Sequence, residues 1–312
     1  MSIQDTTTID FSNKSLTSLP VGFCTNLLNL TAVSVSLHNN KLTSIPEDFC
    51  LGLSNLKNLL ELNLSYNQLT TLPVGFCLGL SNLQSLEYLS LSNNQLTSLP
   101  VGFGQNLPSL KYLRLNNNQL TSLPDGFGSC ASLPSLTDLD LEDNQLTSLP
   151  VGFGSCASLP SLKNLRLEYN KLTSLPDGFC QNLQSLIKLD LQCNKLTSLP
   201  DGFGQNLPSL TDLYLEDNNL TSLPVGFGHA LSVPSLTYLY LEYNKLTSLP
   251  DGFGQNLQSL KELDLQCNKL TSLPVGFGQN LPKLEFLYLM NNQLTSLPDG
   301  FGQAYQDYKV VI

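Results

Sequence analysis

Twelve carboxylates stand at matching places between residues 138 and 264 of this sequence: Asp138, Asp140, Glu142, Asp143, Glu168, Asp190, Asp212, Glu216, Asp217, Glu242, Glu262 and Asp264. Acids held side by side can pass protons, grip a hard cation such as calcium, or pair with the cations of a partner. Proton transfer needs a pocket that drives two carboxyl pKa values apart. Pairs such as Asp138 and Asp140 are expected on the open face of a flat sheet, where water keeps their pKa ordinary. His38 and His229 are the two histidines, and neither lies near a nucleophile. Gly126, Phe127 and Gly128 read as a turn, because no Lys-Ser/Thr follows to make a phosphate cradle. No EF-hand loop and no Cys-x-x-Cys or paired His spacing is present. The expectation is therefore no catalytic residue, no metal and no cofactor, which leaves pairing with cations.

Two bases, Arg166 and Lys188, stand among these acids, interleaved with Tyr169, Tyr214, Tyr238, Tyr240, Tyr243, Phe286 and Tyr288. A rigid face that joins large aromatics to one sign of charge suits a protein-binding hot spot. The expected partner-binding set is all of these residues except Lys188, Glu262 and Phe286, and the expected partner is a basic protein or peptide. A plainer reading stands beside it. Arg114, Asp140, Arg166 and Asp190 share one column, and alternating signs there would only support the sheet. Residues 136–209 and 210–283 also look like a duplicated block, with Asp143/Asp217, Tyr169/Tyr243 and Cys193/Cys267 each offset by 74. Half of the acidic pattern is thus copied.

What positions these residues is a repeat. The segment Leu-Thr-Ser-Leu-Pro recurs twelve times with slight variation, from Leu16–Pro20 to Leu294–Pro298, and a Phe follows each copy. An Asn precedes eleven of the copies, from Asn40 to Asn292, at spacings of 24 to 27 residues. In one unit, Leu113 and Leu115 alternate with period two and read as a short strand with both Leu inward. Pro124 and Gly126 forbid a long helix in the return, which is expected to be extended or 3₁₀-like. One unit cannot bury its Leu side alone, so the units must stack. The Asn column is expected to form a ladder that satisfies turn backbone along the array.

Leu-x-x-Leu-x-Leu-x-x-Asn-x-Leu followed by Thr-Ser-Leu-Pro-x-Gly-Phe resembles the leucine-rich repeat family. The 24-residue copies are similar to its "typical" class, found in receptor ectodomains and the variable lymphocyte receptors of jawless fish. The resemblance covers about residues 9–301 and implies a right-handed curved solenoid, nominally α/β, with a concave parallel sheet and little regular helix. It also implies a binding role. The chain departs from the secreted members in lacking cysteine-rich caps and in placing Lys14 in the Asn column of the first copy.

The remaining features set the class. The 312 residues carry 15 Lys+Arg against 25 Asp+Glu, a net charge of −10 that argues against nucleic acid and anionic membrane surfaces. One domain, 1–312, is expected, with a first strand at about 7–11, a last repeat ending near 303, and a tail over 304–312. In that tail Val310, Val311 and Ile312 are expected to cap the last coil; without a cap, homodimers through the open ends are expected. Residues 1–8 lack a basic segment and an apolar run, so a cytoplasmic location is expected, or secretion if a signal was removed. The eight Cys fall at repeat-copied positions, such as Cys24, Cys50, Cys77 and Cys180 after the Phe, and Cys130 and Cys156 in matching insertions, so free thiols are expected. Two alternatives follow: a secreted recognition module, for which the sequons at Asn13, Asn29, Asn63 and Asn219 would matter, and an ice-binding surface built on the Thr-Ser array.

Overall fold

The computed structural model describes residues 7–20, 23, 32–128, 133–154, 159–228, 233–279, 281–298 and 309–311. Cys24, Cys130, Cys156, His229, Phe301, the Asn29 sequon and most of the tail lie outside the described residues.

Thirteen parallel strands form one sheet in chain order. They are β1 (Thr7–Asp10), β2 (Ala32–Ser36), β3 (Glu61–Asn63), β4 (Tyr88–Ser90), β5 (Tyr112–Arg114), β6 (Asp138–Asp140) and β7 (Asn164–Arg166). The series continues with β8 (Lys188–Asp190), β9 (Asp212–Tyr214), β10 (Tyr238–Tyr240), β11 (Glu262–Asp264), β12 (Phe286–Tyr288) and β13 (Lys309–Val311). From β2 to β12 each strand contributes its central Val or Leu to a common column, Val35 pairing with Leu62, Leu113 with Leu139, Leu139 with Leu165. Those side chains are fully buried, and so are the Leu residues that follow each strand. In the tail, Leu287 lies in register with Val310, so β13 continues the sheet past the last repeat.

The Phe residues form the opposite wall. From Phe103 to Phe277 their rings stack at centroid spacings of 6.2 to 6.4 Å. Neighbouring strands are only about 4.8 Å apart. Each coil is therefore a wedge, thinner at the sheet than at the ring stack, and the sheet must lie on the concave side of the array. The Gly after Phe103, Phe127 and Phe203 makes room for the next ring of this stack. Gly128 has φ +66°, and a Cβ there would come within 2.7 Å of the Phe153 ring. Phe153→Ala, which removes a fully buried ring packed between two others, is expected to cost about 3–5 kcal/mol, measurable as a lower urea midpoint.

Two copies depart from the extended return. Helices α1 (Glu47–Leu53) and α2 (Gly75–Ser81) occupy it in the second and third repeats. There the segment after the Phe reads Cys-Leu-Gly-Leu-Ser-Asn-Leu in place of the shorter Gly-Gln-Asn-Leu. Cys180, which also replaces the Gly, keeps φ +67° in a turn, so the longer segment and not the Cys marks the helices. No helix of the described residues is long and apolar enough to cross a membrane.

Each Asn of the column joins two coils. Asn144 accepts the Leu120 N–H at 3.0 Å and donates to the Leu115 carbonyl of the preceding coil at 3.0 Å. It also donates to the carbonyls of Leu141 and Glu142 in its own coil, each at 3.2 Å. Asn40 does the same for the first coil, accepting from Lys14 and Leu16, so that copy needs no Asn of its own.

Candidate binding face

The residues flanking each central Leu form columns on the sheet surface opposite the core. Strand register aligns Asp138, Asn164, Lys188, Asp212, Tyr238, Glu262 and Phe286 in one column. It aligns Arg114, Asp140, Arg166, Asp190, Tyr214, Tyr240, Asp264 and Tyr288 in the next. Beyond the strands come Glu142, Glu168, Glu216 and Glu242, interrupted by Gln192 and Gln266. The last column holds Asp143, Tyr169, Cys193, Asp217, Tyr243 and Cys267, all with φ between 49° and 55°. That left-handed turn suits Asn and Asp but strains Tyr and Cys.

The expectation that these acids lie open is corrected by their burial. Asp140, Asp190 and Asp264 are buried at 6%, 2% and 6% exposure, and Glu168 at 6%. The short aspartates sit between bulkier residues of adjacent strands, which cover them. Asp140 is gripped by Arg114 at 3.2 Å and Arg166 at 3.5 Å. Asp190 pairs instead with Lys188 on its own strand, at 3.2 Å. The alternating column therefore does pair across strands at Asp140, and Arg166 serves that internal pair. Lys188 also lies 4.4 Å from the centroid of the Tyr214 ring, which stacks on Tyr240 at 5.1 Å.

The glutamate column has the most perturbed chemistry. Burial, then the charges of Asp190 and Glu142, push Glu168 up to about 8 against the pull of its own backbone hydrogen bond. Burial, then Glu242, raises Glu216 to about 8. Burial, then Asp264, raises Glu242 to about 7. One carboxyl oxygen of each, Oε2, is buried with no hydrogen-bond partner. Burial and Asp140 raise Glu142 as well.

The leucine-rich repeat family model matches residues 32–87, 84–146, 160–227 and 234–294, which is most of the chain. The chain belongs to the leucine-rich repeat family. Among solved structures, a leucine-rich repeat protein of Leptospira interrogans is 32% identical at TM-score 0.61, covering 95% of this chain and 86% of that one. YopM from Yersinia enterocolitica is 30% identical at TM-score 0.61, covering 93% of this chain but only 57% of its own length. The octameric complex of latrophilin 3, Unc5D and the leucine-rich repeat part of FLRT2 contains a chain 27% identical at TM-score 0.65, covering 96% of this chain and 78% of that one. No curated protein sequence matches this chain.

In this leucine-rich repeat protein the expected binding residues share one continuous face of the sheet and its following turns. Asp138, Asp212, Tyr238 and Tyr240 are half-buried there, while Tyr169 and Tyr243 are more than half exposed at the turn. Asp143 and Asp217 are exposed beside them. Lys188, Glu262 and Phe286, outside the expected set, belong to the same surface, as do Arg114, Asn164, Gln192 and Gln266. The 74-residue offset would have found Phe286, because it sets that residue against Asp212 of the expected set. Among the described residues, no group of three metal-binding side chains converges. Members of this family and fold are commonly non-enzymatic protein–protein interaction scaffolds.

Proposed function

We propose that this leucine-rich repeat protein is a non-enzymatic scaffold that binds a basic protein or peptide on the sheet face from β6 to β12. One observation carries the reading. Glu168, Glu216 and Glu242 each hold a buried oxygen that no group among the described residues satisfies. Leaving a buried acceptor unmade costs about 1–3 kcal/mol, more when it is charged. An incoming ammonium or guanidinium over this column supplies a donor and favours the ionised form of glutamates that otherwise hold their protons to about 7 or 8. Tyrosines along the same face add area that loses little conformational entropy on binding. The thiols of Cys77, Cys180, Cys193 and Cys267 are free, which fits a reducing compartment, and we place the protein in the cytoplasm.

The test is affinity capture from host lysate with the full chain and a triple variant, Glu168→Gln, Glu216→Gln and Glu242→Gln. Gln already stands in this column at Gln192 and Gln266, so the replacements fit. Loss of a salt-sensitive prey from the variant is the expected result. Equal recovery of every prey by both forms would overturn the reading.

A further inference from the structure

The two copies of the duplicated block differ where it matters for cations. At an offset of 74, Lys188 corresponds to Glu262, Asp190 to Asp264, Asp212 to Phe286 and Tyr214 to Tyr288. In the first copy the Lys188 ammonium lies 3.2 Å from Asp190 and 4.4 Å from the Tyr214 ring centroid. The chain thus seats its own lysine between a buried carboxylate and an aromatic face.

In the second copy the carboxylate and the ring remain, but a second acid replaces the lysine. No ion pair among the described residues reaches Glu262 or Asp264. The Asp264 carboxylate closes instead on Gln266, accepting from its backbone N–H at 2.9 Å and its side-chain amide at 3.2 Å. The corresponding bonds from Gln192 to Asp190 are longer, at 3.4 and 3.5 Å. Burial, then Glu262, raises the Tyr240 hydroxyl, which hydrogen-bonds Glu262, and burial with Glu262 and Asp264 raises Tyr288. Both rings therefore border the acids. The flanking strands are aromatic at every outward position: Tyr238 and Tyr240 on β10, Phe286 and Tyr288 on β12. Phe286 and Tyr288 lie nearly parallel, 6.5 Å apart. The next cationic position in register, Lys309, stands beyond Phe286 on β13.

Resting on the basic-partner reading above, we propose that the trough over β11 seats a lysine side chain of the partner. Glu262 and Asp264 form its floor, and Tyr238, Tyr240, Phe286 and Tyr288 its walls. Strands about 4.8 Å apart leave roughly 9–10 Å between the aromatic columns, room for an alkyl stem. Acids beneath the ammonium and rings around it combine ion pairing with cation–π attraction.

The experiment titrates hexalysine into the full-length protein at physiological ionic strength, following heat and the peptide's ε-methylene proton shifts. Bound to wild type, those protons are expected to move upfield under the rings. Glu262→Lys, which fills the trough from within as Lys188 does, is expected to weaken hexalysine at least tenfold and abolish the upfield shift. Glu61→Lys makes the same charge change in the same column at β3 and is expected to act less than twofold. Lys188→Glu restores an acid pair on β8, but its β7 neighbours are Asn164 and Arg166 in place of rings, and it is expected to add no binding equivalent. If Glu262→Lys and Glu61→Lys act alike while the triple glutamine variant still abolishes binding, the trough is wrong and the basic-partner reading stands. If none of these variants changes hexalysine binding, both fall.

Discussion

Asn144→Ala is expected to destabilise the protein by about 2–4 kcal/mol, one of the largest effects open to a single polar residue here. The amide is 2% exposed, and its Oδ1 is the acceptor for the buried Leu120 N–H. Alanine leaves that donor without a partner, at about 1–3 kcal/mol, and removes the bonds to Leu115, Leu141 and Glu142. The Leu115 carbonyl keeps its second donor, Asn118, which limits the damage. Asn292→Ala should cost less, because that amide is only partly buried and borders the end of the array. Urea titration followed by circular dichroism measures both. Equal losses at the two positions would mean that burial does not set the value of the amide.

Raising the pH from 5.5 to 9 is expected to lower the melting temperature by several degrees. The sign follows from proton counting. Unfolded glutamates titrate at about 4.3, while Glu168 and Glu216 hold their protons to about 8 and Glu242 to about 7. Between those values the folded chain binds more protons than the unfolded one, so stability falls as pH rises and levels off above about 8. Asp264, raised by burial, acts in the same direction. Glu168→Gln should gain about 1–3 kcal/mol at pH 9 and almost nothing at pH 4. The triple glutamine variant should flatten the profile between 5.5 and 8. A wild-type melting temperature that rises across this window would contradict the buried glutamates directly.

The fold was legible because its signals repeat. Leu113, Leu115, Leu123, Phe127 and Asn118 each mark a column, and register, stacking and turn bonds follow from lining those columns up. Alternation along the strand also identified the outer face correctly. Depth was not legible. Whether Asp190 is open or sealed depends on how far Lys188 and Tyr214 lean over it, which is a matter of rotamers in adjacent coils. The same gap explains why Asp138 and Asp140 looked alike on paper, although only Asp140 is buried and doubly paired. Helices α1 and α2 were missed because the return was expected to be extended or 3₁₀-like in every copy, and the longer Cys-Leu-Gly-Leu-Ser-Asn-Leu segment of these two was not set apart.

The mismatch between a ring pitch of 6.2 to 6.4 Å and a strand pitch of about 4.8 Å bends the array, and it also constrains the shape of whatever lies across it. An extended segment shows same-side residues every 6.6 to 6.8 Å or so and loses step with the strands after two or three of them. A helix laid across the strands climbs about 4.5 Å in three residues and 6 Å in four, so residues at such intervals keep closer step with successive strands. A helical segment of the proposed partner would keep step with the inner surface where an extended one would not.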